Sequence, residues 1–377
     1  MEKYYHKKIR ILSFQNAYNF GAVLQAYGLQ QTIKSLGYND VKFINYNPKY
    51  LSDRYNPFLI KRLFPQKTLK GIIFGIVRYP MYMISRLRRN HRIQFSINNL
   101  LEQTKQIIVN ECGLKDIEAD VLICGSDQIW NTALTGDFDR VYLGKGPYKH
   151  LGYAAAYAPS TELSSLTEEK AKRLCGLLDS FKYISVREMQ VSNKLSNYLN
   201  RDVPVCVDPT ILCGAEAFCK VASPRLVEKD YIVVYAYNES RSSIYSAIKS
   251  IPNYEKYPVH VISFGLKSNR ELFNARIHSA ITVQEFLSYI KYAKFVVTNS
   301  FHGLAFSLLF EKNFNVIFCE GKYVRVLSLL QQLGLENRFV SDISNIQWNL
   351  IDYSIVNQKI TEIRKDSFNY LNKILEG

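Results

Sequence analysis

The sequence predicts an α/β protein of two doubly wound, Rossmann-like domains facing a cleft. Three observations predict it. Short apolar runs ending in polar residues alternate with segments of helical periodicity from Ile9 to Leu333. At 377 residues the chain exceeds what one hydrophobic core usually serves. A polar stretch containing Pro224, from about Ala222 to Asp230, separates two such series. The expected domains are therefore 1–225 and 226–350, with a segment 351–377 whose helix crosses back to the first domain.

In the first series, Ile9–Phe14 is an apolar strand. The polar turn after it carries Asn19 and Gly21 and feeds a helix that runs to about Leu36 and stops at Gly37. Val41–Tyr46 completes a βαβ unit, so a parallel sheet starts here. Strand, glycine-bearing turn and helix can cradle an anion or a sugar, although no G-x-G-x-x-G fingerprint is present. The next strand, Asp120–Cys124, runs into Gly125-Ser126-Asp127-Gln128-Ile129-Trp130-Asn131. There Asp127 is a base or hydroxyl acceptor, or else Asp127 and Asn131 only cap a turn, and Trp130 offers a face to a sugar ring.

A small-residue strand, Leu151–Ala158, precedes a helix over Leu166–Phe181 and a strand over Tyr183–Glu188. Arg187 at that edge either clamps a carboxylate or phosphate, or pairs with Glu188 or another neighbour. Val203–Thr210 reads as the end of a further strand, with Asp208 structural.

The second series is strand 231–237, helix 240–251, strand 259–264, helix 282–292, strand Lys294–Thr298, helix from Gly303, strand Phe314–Cys319 and helix Tyr323–Leu333, followed by an amphipathic segment from about Ser354 to Leu375. After Thr298 come Asn299, Ser300, Phe301, His302 and Gly303, so His302 stands where a strand end meets a helix N-terminus. The positive helix end disfavours imidazolium and a bound trianion favours it. Such a histidine suits general acid–base work; the alternative is a capping or core histidine. Arg325 directly follows a strand end and is the better anion ligand, whereas Arg338 either joins it or ties the last helix down.

The formal charge of +15 argues for an anionic partner. The densest block, Lys61 to Arg92, mixes nine basic residues with apolar ones. That composition fits an interfacial helix on anionic lipid and equally an amphipathic lobe helix with a solvated basic face, and Pro80 interrupts the pattern. No nucleic-acid module is recognisable. Seven cysteines without a C-x-x-C pair read as free thiols of a reducing cytoplasm. With no signal-peptide h-region and no apolar span able to cross a bilayer, the chain is expected to be soluble or peripheral. No Asp, His or Cys pattern suggests a metal, so metal-independent chemistry is expected.

Asn19-Phe20-Gly21-Ala22, Gly-Ser-Asp-Gln-Ile-Trp-Asn from Gly125, Ser185-Val186-Arg187-Glu188, Val207-Asp208-Pro209-Thr210 and Ser300-Phe301-His302-Gly303, in this order and spacing, resemble the polysaccharide pyruvyl transferase family. The resemblance spans most of the chain. It implies a GT-B-like fold and transfer of the enolpyruvyl unit of phosphoenolpyruvate to a sugar as a ketal, with phosphoenolpyruvate as co-substrate and no other cofactor. Similarity to capsule and exopolysaccharide members implies a polyprenyl-diphosphate-linked saccharide acceptor at the inner face of the cytoplasmic membrane. In that frame His302 delivers a proton and Asp127 takes one from the acceptor. Arg187, Arg325, Asn299, Ser300, Gly303 and Arg338 hold the donor; Asn19, Gly21, Ser126 and Trp130 hold the acceptor. Some members carry Arg two places before the histidine, where this chain has Ser300, and Arg325 is the candidate for the missing contact. The rival reading is a GT-B glycosyltransferase using a nucleotide sugar.

Overall fold

A computed structural model describes residues 6–58, 69–161, 166–236, 241–263, 274–318, 323–341, 346 and 348–377, without the side chains of 69–78 and Arg241. The first half begins with β1 (Ile9–Leu12), α1 (Phe20–Ser35), β2 (Val41–Phe43), α2 (Lys49–Tyr55), α3 (Leu69–Leu100), β3 (Glu118–Cys124) and α4 (Thr132–Thr135). It continues with β4 (His150–Ala156), α5 (Glu168–Leu177), β5 (Phe181–Ile184), α6 (Met189–Leu199), α7 (Pro209–Cys213) and α8 (Ala215–Val221). The second contains β6 (Ile232–Tyr235), α9 (Arg241–Lys249), β7 (Val259–Ile262), β8 (Arg276–His278), α10 (Val283–Lys291), β9 (Phe295–Thr298), α11 (Phe301–Leu309), β10 (Asn313–Ile317), α12 (Tyr323–Leu333), β11 (Phe339–Val340) and α13 (Tyr353–Glu376).

Two sheets result, ordered β2-β1-β3-β4-β5 and β11-β10-β9-β6-β7-β8, with every described pairing parallel. Strands such as Ile232–Tyr235 are buried along their whole length, as sheets with helices on both faces require. The order reverses between β1 and β3 and between β6 and β9, and the loops that follow β1, β3 and β9 line one cavity.

Local chemistry sets the element ends. Asn19 caps α1 through its side-chain oxygen, and Gly37 takes φ +94° just beyond it. A full capping box, Thr282 with Glu285, starts α10.

Two expectations fail. Val203–Thr210 is no strand: Val205 makes a single bridge to Val186, Pro204 lacks the N–H a ladder needs, and Pro209 starts α7 behind the Asp208 cap. Pro80 does not end its helix either, because α3 continues on both sides of it, 32 residues in all. The proline removes one donor from a long run of intact turns. The lower part of the basic block, including Lys61, Arg62 and Lys67, lies outside the described residues, as does Cys319. The other six cysteines are free.

The core does not divide as the sheets do. One buried cluster joins Ile9, Phe20, Val23 and Leu29 of the first half to Val233, Phe286, Val296 and Phe306 of the second. Phe20 stacks on Phe286 with centroids 4.7 Å apart. Helix α13 returns to the first half, where Tyr153 Oη donates to Ile374 O at 2.5 Å, Tyr370 Oη to Ile184 O at 2.8 Å and Lys7 Nζ to Leu375 O at 2.7 Å.

Candidate active site

At the end of β9, Thr298 Oγ1 donates to Tyr235 O at 2.6 Å and accepts from Ser300 N at 3.1 Å, which fixes the chain as it leaves the sheet. Ser300 then caps α11 by accepting from Gly303 N. His302 stands in the first turn with its side chain 14% exposed. From the other sheet, the first turn of α1 presses on the imidazole: a Cβ on Gly21 would lie 2.0 Å from His302 Nδ1. Gly303 is equally constrained, since its Cβ would lie 2.2 Å from Thr298 Oγ1. Two helix N-termini, one from each sheet, therefore converge on one histidine.

Behind the histidine lies a buried charge. The Asp208 carboxylate has no exposed surface; Oδ2 lies 2.7 Å from Arg187 Nη1 and 3.8 Å from His302 Nε2. Its Oδ1 accepts from Thr210 N at 2.8 Å and Thr210 Oγ1 at 2.6 Å. Burial alone would push Asp208 up, but Arg187, His302 and the Thr210 hydrogen bonds hold it below the usual carboxylate range. Burial lowers the His302 pKa, against the opposing pull of Asp208 and Asp127. Glu188, which accepts from Ser160 Oγ at 2.5 Å, is raised by burial although Arg325 and Arg187 oppose it. Arg325 is lowered by burial, with Glu188 opposing. When the Gln128 amide is turned to satisfy its neighbours, its oxygen accepts from Arg325 Nη2 at 2.5 Å and Nη1 at 3.2 Å.

A cavity of about 330 Å³ opens in front of this network, and His302, Asp127, Asn299, Ser300, Arg325 and Asn19 all reach its wall. Arg187 does not. It lines a smaller cavity of about 40 Å³, shared with Glu188, Asp208, Phe301 and Arg325. Its guanidinium is 5.5 Å from the Phe301 ring centroid, and its Nη2 donates to Ser126 Oγ. The ion pair expected with Glu188 or another neighbour is made with Asp208.

Three expected contacts lie elsewhere. Trp130 is 1% exposed and packs in the core near Phe181, with centroids 6.5 Å apart, so no sugar can stack on it. Ser126 is fully buried and holds Arg187 instead of an acceptor. Arg338 is 2% exposed and donates to Asn349 O at 2.5 Å and Asn313 Oδ1 at 3.5 Å, which ties the chain before α13 to β10. Gly21 contributes by having no side chain. Asn19 contacts the cavity while its Oδ1 accepts from Gly21 N at 2.9 Å. Asp127 has φ +71°, and its Oδ1 accepts from Gln128 N at 2.8 Å at the cavity wall, whereas Asn131 caps α4 by accepting from Ala133 N at 3.0 Å.

Sequence reasoning missed Arg54 and Gln128 on the cavity wall, and the part Asp208 and Glu188 play behind it. Arg54 is carried in by α2, where it donates to Leu134 O at 2.9 Å. Its position shortly after the β2 strand end was the available signal.

Two parallel sheets with helices on their faces, presenting strand ends and helix N-termini to one polar cleft, define the class: a doubly wound α/β protein. The chain belongs to the polysaccharide pyruvyl transferase family, whose sequence profile matches residues 19–317. No curated protein matches it at the sequence level. Among solved structures it is similar to UDP-GlcNAc 2-epimerase from Neisseria meningitidis bound to UDP-GlcNAc, at 10% identity and TM-score 0.47 over 96% of this chain and 93% of that one. It is also similar to E. coli heptosyltransferase WaaC with ADP, at 12% identity and TM-score 0.38 over 94% and 99%.

Proposed function

We propose that the chain transfers the enolpyruvyl unit of phosphoenolpyruvate to a sugar of a lipid-linked polysaccharide precursor, forming a pyruvate ketal and releasing phosphate. The observation carrying this reading is His302, held between two helix N-termini on a cavity wall that also bears Arg325 and Arg54. Guanidinium groups and helix ends suit a donor with both carboxylate and phosphate. His302 protonates the donor methylene carbon, and C2 becomes cationic. An acceptor hydroxyl bonds to C2 while Asp127 takes its proton; the C2–O bond to phosphate breaks, and a second hydroxyl closes the ketal as its proton leaves on phosphate. Asp208 stabilises the protonated imidazole from behind, and Arg187 keeps Asp208 ionised. The scheme routes no step through a metal, and phosphoenolpyruvate is the only co-substrate it needs.

What supports an acceptor at the membrane is α3, where Met81, Ile84, Leu87 and Phe95 are 41–64% exposed beside exposed Arg88 and Arg92. Among the described residues no helix is long and apolar enough to cross a membrane.

Incubation with phosphoenolpyruvate and a panel of galactose-containing polyprenyl-diphosphate saccharides is expected to release phosphate and add a pyruvyl mass. His302→Ala is expected to abolish turnover with an unchanged melting curve; retained turnover removes the histidine from the mechanism. Arg325→Ala is expected to weaken phosphoenolpyruvate binding by about 1.5–3 kcal/mol. Thermal stabilisation by UDP- or GDP-sugars, with none by phosphoenolpyruvate, would favour a nucleotide-sugar transferase instead.

A further inference from the structure

Beside the main cleft, between the end of α2 and the middle of α3, runs a second groove of about 500 Å³, within the roughly 300–1,000 Å³ that ligand sites occupy. The two spaces adjoin, because Leu51 and Tyr55 line both. Its chemistry departs from that of the rest of the chain. The protein carries a formal charge of +15, yet none of the described residues lining this groove is Lys or Arg. Amides, phenols and one imidazole predominate, with Asp53 as the single carboxylate among the described lining residues. The Tyr18 and Tyr55 rings lie 5.2 Å apart at 46°, Tyr18 Oη donates to Gln94 Oε1 at 3.0 Å, and Phe58 at the open end is 59% exposed.

Rings set beside amides, hydroxyls and one carboxylate match a neutral sugar, whose C–H faces pack on the rings and whose hydroxyls donate to the Asp53 carboxylate and the amide oxygens. A nucleotide, phosphate or acidic glycan would find no cation among these side chains. The cation-bearing site is the neighbouring cavity, with Arg325 and Arg54. We infer that the α2–α3 groove is an acceptor subsite that holds neutral sugar residues next to the one being modified, so that the enzyme reads an oligosaccharide and not a single sugar. This rests on the transferase reading above, since it is the acceptor of that reaction that would run from one cavity into the other.

Binding and turnover test it separately. Saturation-transfer NMR and calorimetry would use the full chain with two neutral tetrasaccharides, lacto-N-neotetraose and cellotetraose, and a heparin-derived tetrasaccharide as the acidic control. A neutral tetrasaccharide is expected to bind, and Gln94→Ala and Phe58→Ala are each expected to weaken it at least fivefold while inorganic phosphate binding stays within twofold. Phe58 is 59% exposed and belongs to no buried cluster of the described residues, so its variant keeps the test meaningful if Gln94→Ala fails to fold. The inference is overturned if neither neutral tetrasaccharide binds, if the acidic one binds better, or if neither variant weakens binding. With phosphoenolpyruvate added, a longer acceptor is expected to show a KM at least tenfold below that of its terminal disaccharide, and the variants to erase that ratio. Binding without any phosphate release from any acceptor would leave the groove a saccharide site and defeat the transferase reading alone.

Discussion

Gly21 leaves the space that the His302 imidazole fills, so no side chain fits at 21 while the ring keeps its place. Alanine at 21 would place its Cβ 2.0 Å from Nδ1, so the imidazole must swing off or α1 must retreat. Gly21→Ala is expected to cut kcat by about 10²-fold, the scale of a roughly 1 Å misplacement. Full activity would show that the ring position is immaterial. Asp208 acts on the same ring through charge. Asp208→Asn removes the group that raises the His302 pKa against burial, so the proton is lost at lower pH. The basic limb of the kcat/KM profile is expected to move to lower pH, and an unmoved limb would separate Asp208 from His302. At this scale the sequence exposed the residues that follow strand ends, such as His302, Asp127 and Arg325. It hid Asp208, because Arg187 lies 21 positions away and meets it only through the Val186–Val205 bridge, while His302 lies 94 positions away and meets it only where the two sheets come together. Trp130 misled for the converse reason: an aromatic in a polar loop looks exposed until the loop folds back onto the core.

Elements were legible where period and punctuation agreed. Helix α12 falls at Tyr323–Leu333, as its apolar spacing predicts. Strands β8 and β11, of three and two residues, carry too short a pattern to read. Their consequence is chemical, because β8 brings His278 beside His260 of β7. The two rings stack 5.1 Å apart, with Nδ1 of His260 2.9 Å from Nε2 of His278, and Tyr289 Oη of α10 lies 3.2 Å from His278 Nδ1. Burial, then His278 and Arg276, lowers the His260 pKa to about 4, and His278 is lowered too, with Glu285 opposing. Tyr231 and Tyr289 close the remaining ring faces of His260. A histidine lowered in the folded state takes up its proton more readily when unfolded, so stability falls as pH drops from about 6.5 toward about 4. The loss is on the order of 3 kcal/mol if His260 acts alone. Denaturant midpoints across that window should fall for the native chain and fall less for His260→Phe. Equal slopes would assign the acid sensitivity to other groups.

At the scale of the whole molecule, the polar stretch before β6 suggested two bodies joined by a linker, and the two sheets do fall on either side of it. The linker signal is local, however, whereas the surface between the halves is built from residues scattered along both. Phe20, Phe286, Tyr235 and Phe306 interlock, with Phe286 centroids 4.7 Å from Phe20, 4.9 Å from Tyr235 and 6.1 Å from Phe306. That contact lies directly under His302, since Phe20 is the residue before Gly21 and Phe306 sits one turn along α11. The same apolar packing that joins the halves therefore sets the distance between the two helix N-termini at the site. Because the core is continuous, both halves should unfold together in one transition by calorimetry and by denaturant. Phe286→Ala opens a cavity in that shared core and is expected to cost about 3–5 kcal/mol. It should lower the single midpoint and also lower turnover, because His302 and Gly21 belong to opposite halves and the shared core sets the distance between them. Two separate transitions in the native chain, or a Phe286→Ala variant with normal kcat, would mean that each half holds its part of the site independently of the other.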